Sequence, residues 1–188
     1  LWFAFAAGAT VVVVDDEAAR LGPDVIPFLR DERITVLCPP PTLLRATGCE
    51  DPQLALPELR FVYCGGEPLP RDVADLWSRG RRLANGYGPT ECAVTSTHCD
   101  IQPGDPISIG WPVRNATAVI LDAEGRAVPD SERGELCIGG AGLARGYWRR
   151  PELTAEKFIV HPQFGRLYRT GDHAHRDPDG RLFCYGRI

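Results

Sequence analysis

Seven consecutive residues, Asn85-Gly86-Tyr87-Gly88-Pro89-Thr90-Glu91, place a flat aromatic ring, two glycines, a hydroxyl and a carboxylate within one short stretch. Glycines let backbone N–H groups come close to an anion, and the proline fixes the way out of the turn. A hydroxyl at Thr90 suits a phosphate oxygen. The carboxylate of Glu91 suits Mg2+, which binds through few carboxylates together with substrate phosphates and water. Tyr87 offers a face for a purine. Taken alone, the stretch reads as well as a tight strand-to-helix turn with an acid favoured by the helix dipole.

Three further runs bear on that choice. Tyr168-Arg169-Thr170-Gly171-Asp172 ends on an acid suited to a ribose diol, since one carboxylate accepts two donors. Gly65-Gly66-Glu67-Pro68 precedes the first motif. Between them, Gly134-Glu135-Leu136-Cys137-Ile138-Gly139-Gly140 continues through Gly142-Leu143-Ala144-Arg145-Gly146-Tyr147-Trp148 to Arg150-Pro151-Glu152-Leu153-Thr154 and Glu156-Lys157-Phe158. In this order and spacing the four runs resemble the acyl-adenylate-forming superfamily, and within it the amino-acid-activating adenylation domains of nonribosomal peptide synthetases. The resemblance covers essentially the whole chain.

The resemblance implies a two-step reaction. A carboxylate, most simply an amino acid, and ATP give an acyl-adenylate and pyrophosphate, and a phosphopantetheine thiol on a carrier protein then takes the acyl group. It implies ATP and Mg2+ as cofactors, with Glu91 as metal ligand and Thr90 at the phosphates. Tyr87 would stack on adenine, while Gly65, Gly66, Glu67, Pro68, Asn85, Gly86 and Gly88 would wall the nucleotide site. Asp172 would hold the ribose, and Arg187 would face ribose and phosphate. Cys38, Tyr63, Gly65, Gly86, Val94 and Thr95 fall where the family lines its acyl pocket. An MbtH-like helper protein is a further partner, and the location implied is cytoplasmic.

Departures from the family pattern are also visible. Cys184 stands where relatives carry a large apolar or aromatic side chain. The family's phosphate loop and its aspartate for the substrate amino group would precede Leu1, and the catalytic lysine of its lid domain would follow Ile188. With no methionine in the sequence, the chain reads as an internal piece of a longer enzyme, expected to be inactive by itself. A coenzyme A ligase for aryl or fatty acids on the same scaffold and a non-catalytic truncated piece are the rival readings.

These residues need a scaffold. Alternating strand and helix signals run from Leu1 to about Cys99: strands at Thr10–Val14, Ile34–Cys38, Arg60–Cys64 and Arg81–Ala84, and helices at Pro23–Arg33, Thr42–Ala46 and Pro70–Arg79. Such βα alternation predicts an α/β fold with a doubly wound parallel sheet, whose ligands gather beyond the strands' carboxyl ends. A proline- and glycine-rich crossing follows. Short strands at Thr117–Leu121, Glu135–Ile138, Leu167–Arg169 and Arg181–Tyr185 then predict a small β-barrel-like subdomain. Glu124-Gly125 and Asp179-Gly180 mark hairpins, and Thr154 is a candidate helix N-cap. The expected division is residues 1–104 for the α/β part, holding the acyl and adenine pocket walls, and 105–188 for the β-rich part, holding Asp172.

Composition narrows the function. At 188 residues and 44% hydrophobic the chain can bury a real core, and a net charge of −4 argues against nucleic acid or an anionic membrane as main partner. Seven cysteines at irregular spacing, without a C-x-x-C pair, suit reduced thiols better than disulfides or a zinc site. Two alternating histidines, His173 and His175, lack a third ligand for a metal. The glycine run Gly139–Gly146 lacks the Gly-Lys-Ser/Thr helix start of a P-loop, so a supporting crossover is expected there instead.

Overall fold

The computed structural model describes residues 2–14 and 22–188. After a short helix α1 (Trp2–Ala6) come α2 (Val25–Asp31), β1 (Val36–Leu37), α3 (Pro41–Ala46), α4 (Pro52–Ala55), β2 (Phe61–Gly65), α5 (Arg71–Trp77) and β3 (Arg82–Tyr87). Strands β1, β2 and β3 pair in parallel, with Gly65 opposite Gly86 at the carboxyl end. Two antiparallel strands, β4 (Thr97–Ile101) and β5 (Trp111–Pro112), complete this first sheet in the order β1-β2-β3-β4-β5.

The second sheet is antiparallel, with β6 (Ala116–Leu121), β7 (Arg133–Gly140), β9 (Gly165–Arg176) and β10 (Leu182–Arg187) in the order β10-β9-β7-β6. Strand β8 (Phe158–His161), which follows helix α6 (Pro151–Lys157), pairs with β9. Register shifts in β7–β9 and β9–β10 curl this sheet into a half-barrel. The fold is thus α/β with a parallel-containing sheet and a curled antiparallel one.

Each sheet has its own core. Leu44, Val62, Trp77, Leu83 and Ile101 pack the first, and all are at most 2% exposed. Burying a side chain of that size contributes about 1.5–3 kcal/mol. Leu136, Ile138, Phe158, Tyr168, Ala174 and Leu182 pack the second, joined by Cys92 and partly by Tyr87. Tyr87 ends β3 and Cys92 lies in the loop after it, so that loop is wedged into the core of the half-barrel. The segment around Gly110 stitches the sheets: Ile109 N donates to Leu182 O, and Leu182 N donates to Gly110 O.

Local expectations differ from the structure in several places, and the strand expected at Leu167–Arg169 runs from Gly165 to Arg176. Thr10–Val14 is irregular, with Val13 78% exposed; β-branched residues favour a strand only where a neighbouring strand pairs with them. The strand expected at Arg81–Ala84 runs on to Tyr87, because the antiparallel partner β4 pairs Gly86 with His98 and Tyr87 with Thr97. Thr154 lies inside α6, which begins at Pro151; its hydroxyl donates to Arg150 O and accepts from Tyr147 N.

All seven cysteines are free. Burial pushes the thiols of Cys64, Cys92 and Cys137 up to about 12, helped at Cys92 and Cys137 by a neighbouring glutamate. Raised thiols of this kind are poor nucleophiles. Among the described residues, no group of three or more His, Cys, Asp or Glu could hold a metal, and no helix is long and apolar enough to cross a membrane.

Candidate functional site

Two sheets bring the separated runs together at one corner. On β9, the Thr170 hydroxyl donates to Leu136 O (2.6 Å) and accepts from Asp172 N (3.0 Å). Glu135 on β7 accepts from Gly171 N (2.9 Å) and from the Arg169 guanidinium. Gly171 takes a left-handed φ of 72°, and a Cβ there would lie 2.8 Å from the Arg187 guanidinium. This bracing presents Asp172. Its Oδ2 accepts from the Tyr87 hydroxyl at 2.6 Å, and its Oδ1 accepts from Arg187 at 3.2 Å. Arg187 also donates to Thr170 O at 2.5 Å. Asp172 is mostly enclosed, whereas the Arg187 side chain is 73% exposed. Burial and then the Asp172 bond raise the Tyr87 phenol well above its usual range, so it donates as a neutral hydroxyl.

The turn after β3 holds Glu91. Ser96 N donates back to Tyr87 O (2.8 Å) and Val113 N donates to Ser96 O (2.9 Å), closing a tight loop. A Cβ on Gly88 would sit 2.5 Å from Val94 O, so no side chain fits there. Thr90–Cys92 forms one turn of 3-10 helix, followed by Ala93 (φ 57°) and Val94 (φ 72°) in the left-handed region. Two such non-glycine residues cost about 1–3 kcal/mol each and cluster at functional sites. Thr90 is exposed; Glu91 is half-buried, and its Oε1 accepts from the Tyr147 hydroxyl at 2.5 Å. Burial alone would raise the Glu91 carboxyl, yet Tyr147, the backbone, Tyr168 and the Arg187 charge together hold it below the usual carboxylate range. Glu91 is therefore a charged, hard oxygen donor at neutral pH. With no cluster of acids beside it among the described residues, it fits a cation bound through one carboxylate plus phosphates and water, the coordination Mg2+ favours.

Four of the residues expected to line an acyl pocket, Tyr63, Gly65, Gly86 and Thr95, meet at the carboxyl end of the parallel strands. Tyr63 on β2 hydrogen-bonds Thr95 across the loop at 2.9 Å between Oη and Oγ1. Its ring lies over Gly86, where any Cβ would collide with the Tyr63 hydroxyl. A Cβ on Gly65 would meet Gly86 O at 3.1 Å. Cys38 follows β1 and is exposed, as is Val94 at 73%. Of the remaining candidates, Gly66 is left-handed (φ 84°) and exposed, as is Pro68. Glu67 accepts from Thr42 N and Oγ1, tying the turn to α3. Asn85 is buried, and its amide is committed to Ser108 O at 2.7 Å.

Sequence reasoning missed Tyr147 and gave Tyr168 no role of its own. Tyr147 lies 56 residues from its partner Glu91, a separation at which no local pattern signals contact. The nearest sequence signal is Gly146, whose φ of 148° few other residues adopt.

Known proteins resemble the chain over nearly its whole length. A linear gramicidin synthase of Brevibacillus parabrevis is 46% identical over 98% of this chain, which spans 4% of that protein. Novobiocin biosynthesis protein H of Streptomyces niveus is 42% identical over 98% of the chain, which spans 31% of it. A crystal structure of a four-domain nonribosomal peptide synthetase bound to AMP and glycine superposes with a TM-score of 0.87 at 37% identity, over 96% of this chain and 14% of that one. The family described as AMP-binding enzyme matches residues 1–148, through the Gly65 turn, the Thr90–Glu91 turn and the loop carrying Tyr147. By that match over most of its length, the chain belongs to the AMP-binding enzyme family.

Proposed function

We propose that the chain supplies the nucleotide corner and one wall of the acyl pocket of an enzyme that adenylates an amino acid. The observation that carries this reading is the bond between Tyr87 and Asp172, 85 residues apart, with Arg187 on the same carboxylate. A ring beside a fixed acid and a guanidinium suits adenine, ribose and phosphate in turn. In this reading residues 1–104 furnish the adenine and acyl walls, and residues 105–188 furnish the ribose acid.

The chemistry follows from the groups present. A substrate carboxylate oxygen attacks the α-phosphorus of ATP, forming the acyl–phosphate bond and breaking the bond to pyrophosphate. Mg2+, held by Glu91, would neutralise charge on the phosphate oxygens. Thr90 donates its hydroxyl to a phosphate oxygen. Asp172 accepts the two ribose hydroxyls with the oxygens now shared with Tyr87 and Arg187, and Arg187, being exposed, swings to the phosphate. The Gly65–Pro68 turn and Gly86 to Gly88 line the nucleotide with backbone, while Asn85 braces β3 from behind. Tyr63 and Thr95 close the acyl pocket above Gly86, with Cys38 and Val94 at its rim. A phosphopantetheine thiol of a carrier protein then attacks the acyl carbon and releases AMP. The setting is cytoplasmic, and an MbtH-like protein is a candidate helper.

The choice of an amino acid over an aryl or fatty acid rests on the relatives, among them the synthetase solved with AMP and glycine. The test is ATP–pyrophosphate exchange by the intact protein with a panel of acids. Exchange stimulated by one or a few amino acids is expected. Exchange stimulated only by aryl or fatty acids would assign a coenzyme A ligase, and no exchange with any acid would reject adenylation.

A further inference from the structure

The run Gly139–Gly146 reads from sequence as a structural crossover, yet the loop that continues it over residues 141–150, between β7 and α6, is built against the Glu91 turn. Ala144 N donates to Glu91 O at 2.7 Å, and a Cβ on Gly142 would lie 3.3 Å from Cys92 O. Arg166 straps the loop to β9 by donating to Ala144 O (2.7 Å) and Arg145 O (2.9 Å). The Thr154 hydroxyl receives Tyr147 N at 2.9 Å, and a Cβ on Gly146 would strike the Thr154 side chain. Tyr147 is thus aimed by its backbone as well as by its ring, which meets Phe158 edge-on at 5.7 Å. Phe158 also packs against Tyr168 at 5.0 Å. The two tyrosine hydroxyls lie 3.3 Å apart, with Tyr147 donating to Glu91 Oε1 at 2.5 Å.

We infer that Tyr147, supported by Tyr168, is a positioning residue that fixes the Glu91 carboxylate so that one oxygen faces the phosphate-bound cation. This rests on the reading of Glu91 as the metal-facing acid. A free glutamate samples several rotamers and gives up that freedom on coordination; one oxygen held in advance by a hydroxyl removes part of that cost. Groups that orient a metal ligand in this way typically contribute about 10–100-fold to metal affinity. Tyr147→Phe keeps the ring on Phe158 and removes only the donor.

The experiment is calorimetric binding of a non-hydrolysable ATP analogue to the intact protein, with and without Mg2+. The readout is the factor by which Mg2+ tightens binding. Tyr147→Phe is expected to cut that factor about 10-fold while leaving Mg2+-free binding unchanged. Tyr168→Phe should cut it less than Tyr147→Phe does, since Tyr168 acts partly through Tyr147. Glu91→Gln should cut it at least as much as Tyr147→Phe, and the double variant should lose nothing further. If Glu91→Gln cuts the factor and neither tyrosine variant does, positioning is overturned and the reading of Glu91 stands. If Glu91→Gln leaves the factor intact, both fall. A tyrosine variant that weakens binding equally with and without Mg2+ shows a structural role only, and overturns the inference.

Discussion

Glu91→Ala in the intact enzyme is expected to slow adenylation on the order of 10²–10³-fold while changing the Michaelis constant for the acid little. That split follows because Glu91 acts on the phosphates and their cation, where charge develops in the transition state, and makes no contact with the acid. Asp172→Asn is expected to act differently. It keeps the shape that Tyr87 and Arg187 pack around but removes the charge that draws hydroxyl donors. Hydrogen bonds to charged groups are worth about 1.5–3 kcal/mol, so the Michaelis constant for ATP should rise about 10-fold or more. Steady-state kinetics with each substrate varied in turn checks both. Wild-type constants in both variants would dismantle the nucleotide corner.

Gly86→Leu is expected to abolish use of the native acid, with a loss of about 100-fold or more in kcat/KM, while nucleotide binding stays within about threefold. The structure gives the reason: a side chain at position 86 collides with the Tyr63 hydroxyl and so breaks the Tyr63–Thr95 bond, which the proposal places in the acyl-pocket wall. Asp172 and Glu91 hydrogen-bond to Tyr87, Arg187 and Tyr147, not to Tyr63, and so are expected to keep their partners. Tyr63→Ala supplies the converse, since it opens space over Gly86 and should extend the range toward bulkier acids. Relative kcat/KM values over an acid series measure both effects, and an unchanged preference in both variants would remove Tyr63 and Gly86 from the pocket.

The division between what was legible in the sequence and what was not follows the range of the interactions. The parallel strands around Val62 and Leu83 and the helix carrying Val73 and Trp77 announce themselves by local apolar period, and the structure has them. Thr10–Val14 carries the same local signal without a pairing partner in the described residues, and it is not a strand. Gly86 and Gly88 look like one turn, but only Gly88 lies in it. Gly86 is held in β3 by His98 across the ladder, a partner that the chain reaches 12 residues later. Tyr87, Thr90 and Glu91 stand out from one short run and Asp172 from another, and the structure brings Tyr87 and Asp172 together. The tyrosine that grips Glu91 does not stand out, since its role exists only after the half-barrel folds the 141–150 loop back onto the Thr90 turn.

The measurement that tests adenylation most directly follows the substrate's oxygen atoms. The acid, labelled with oxygen-18 in its carboxylate, is incubated with ATP, Mg2+ and the intact enzyme, and hydroxylamine takes the place of the carrier thiol. Attack of the carboxylate on the α-phosphorus leaves one labelled oxygen in AMP after the acyl group departs, with unlabelled pyrophosphate as the other product. Mass spectrometry of the nucleotide is predicted to show singly labelled AMP in step with hydroxamate. Label in inorganic phosphate with ADP as the nucleotide product would mean attack at the γ-phosphorus and contradict the account, as would hydroxamate formed with unlabelled AMP.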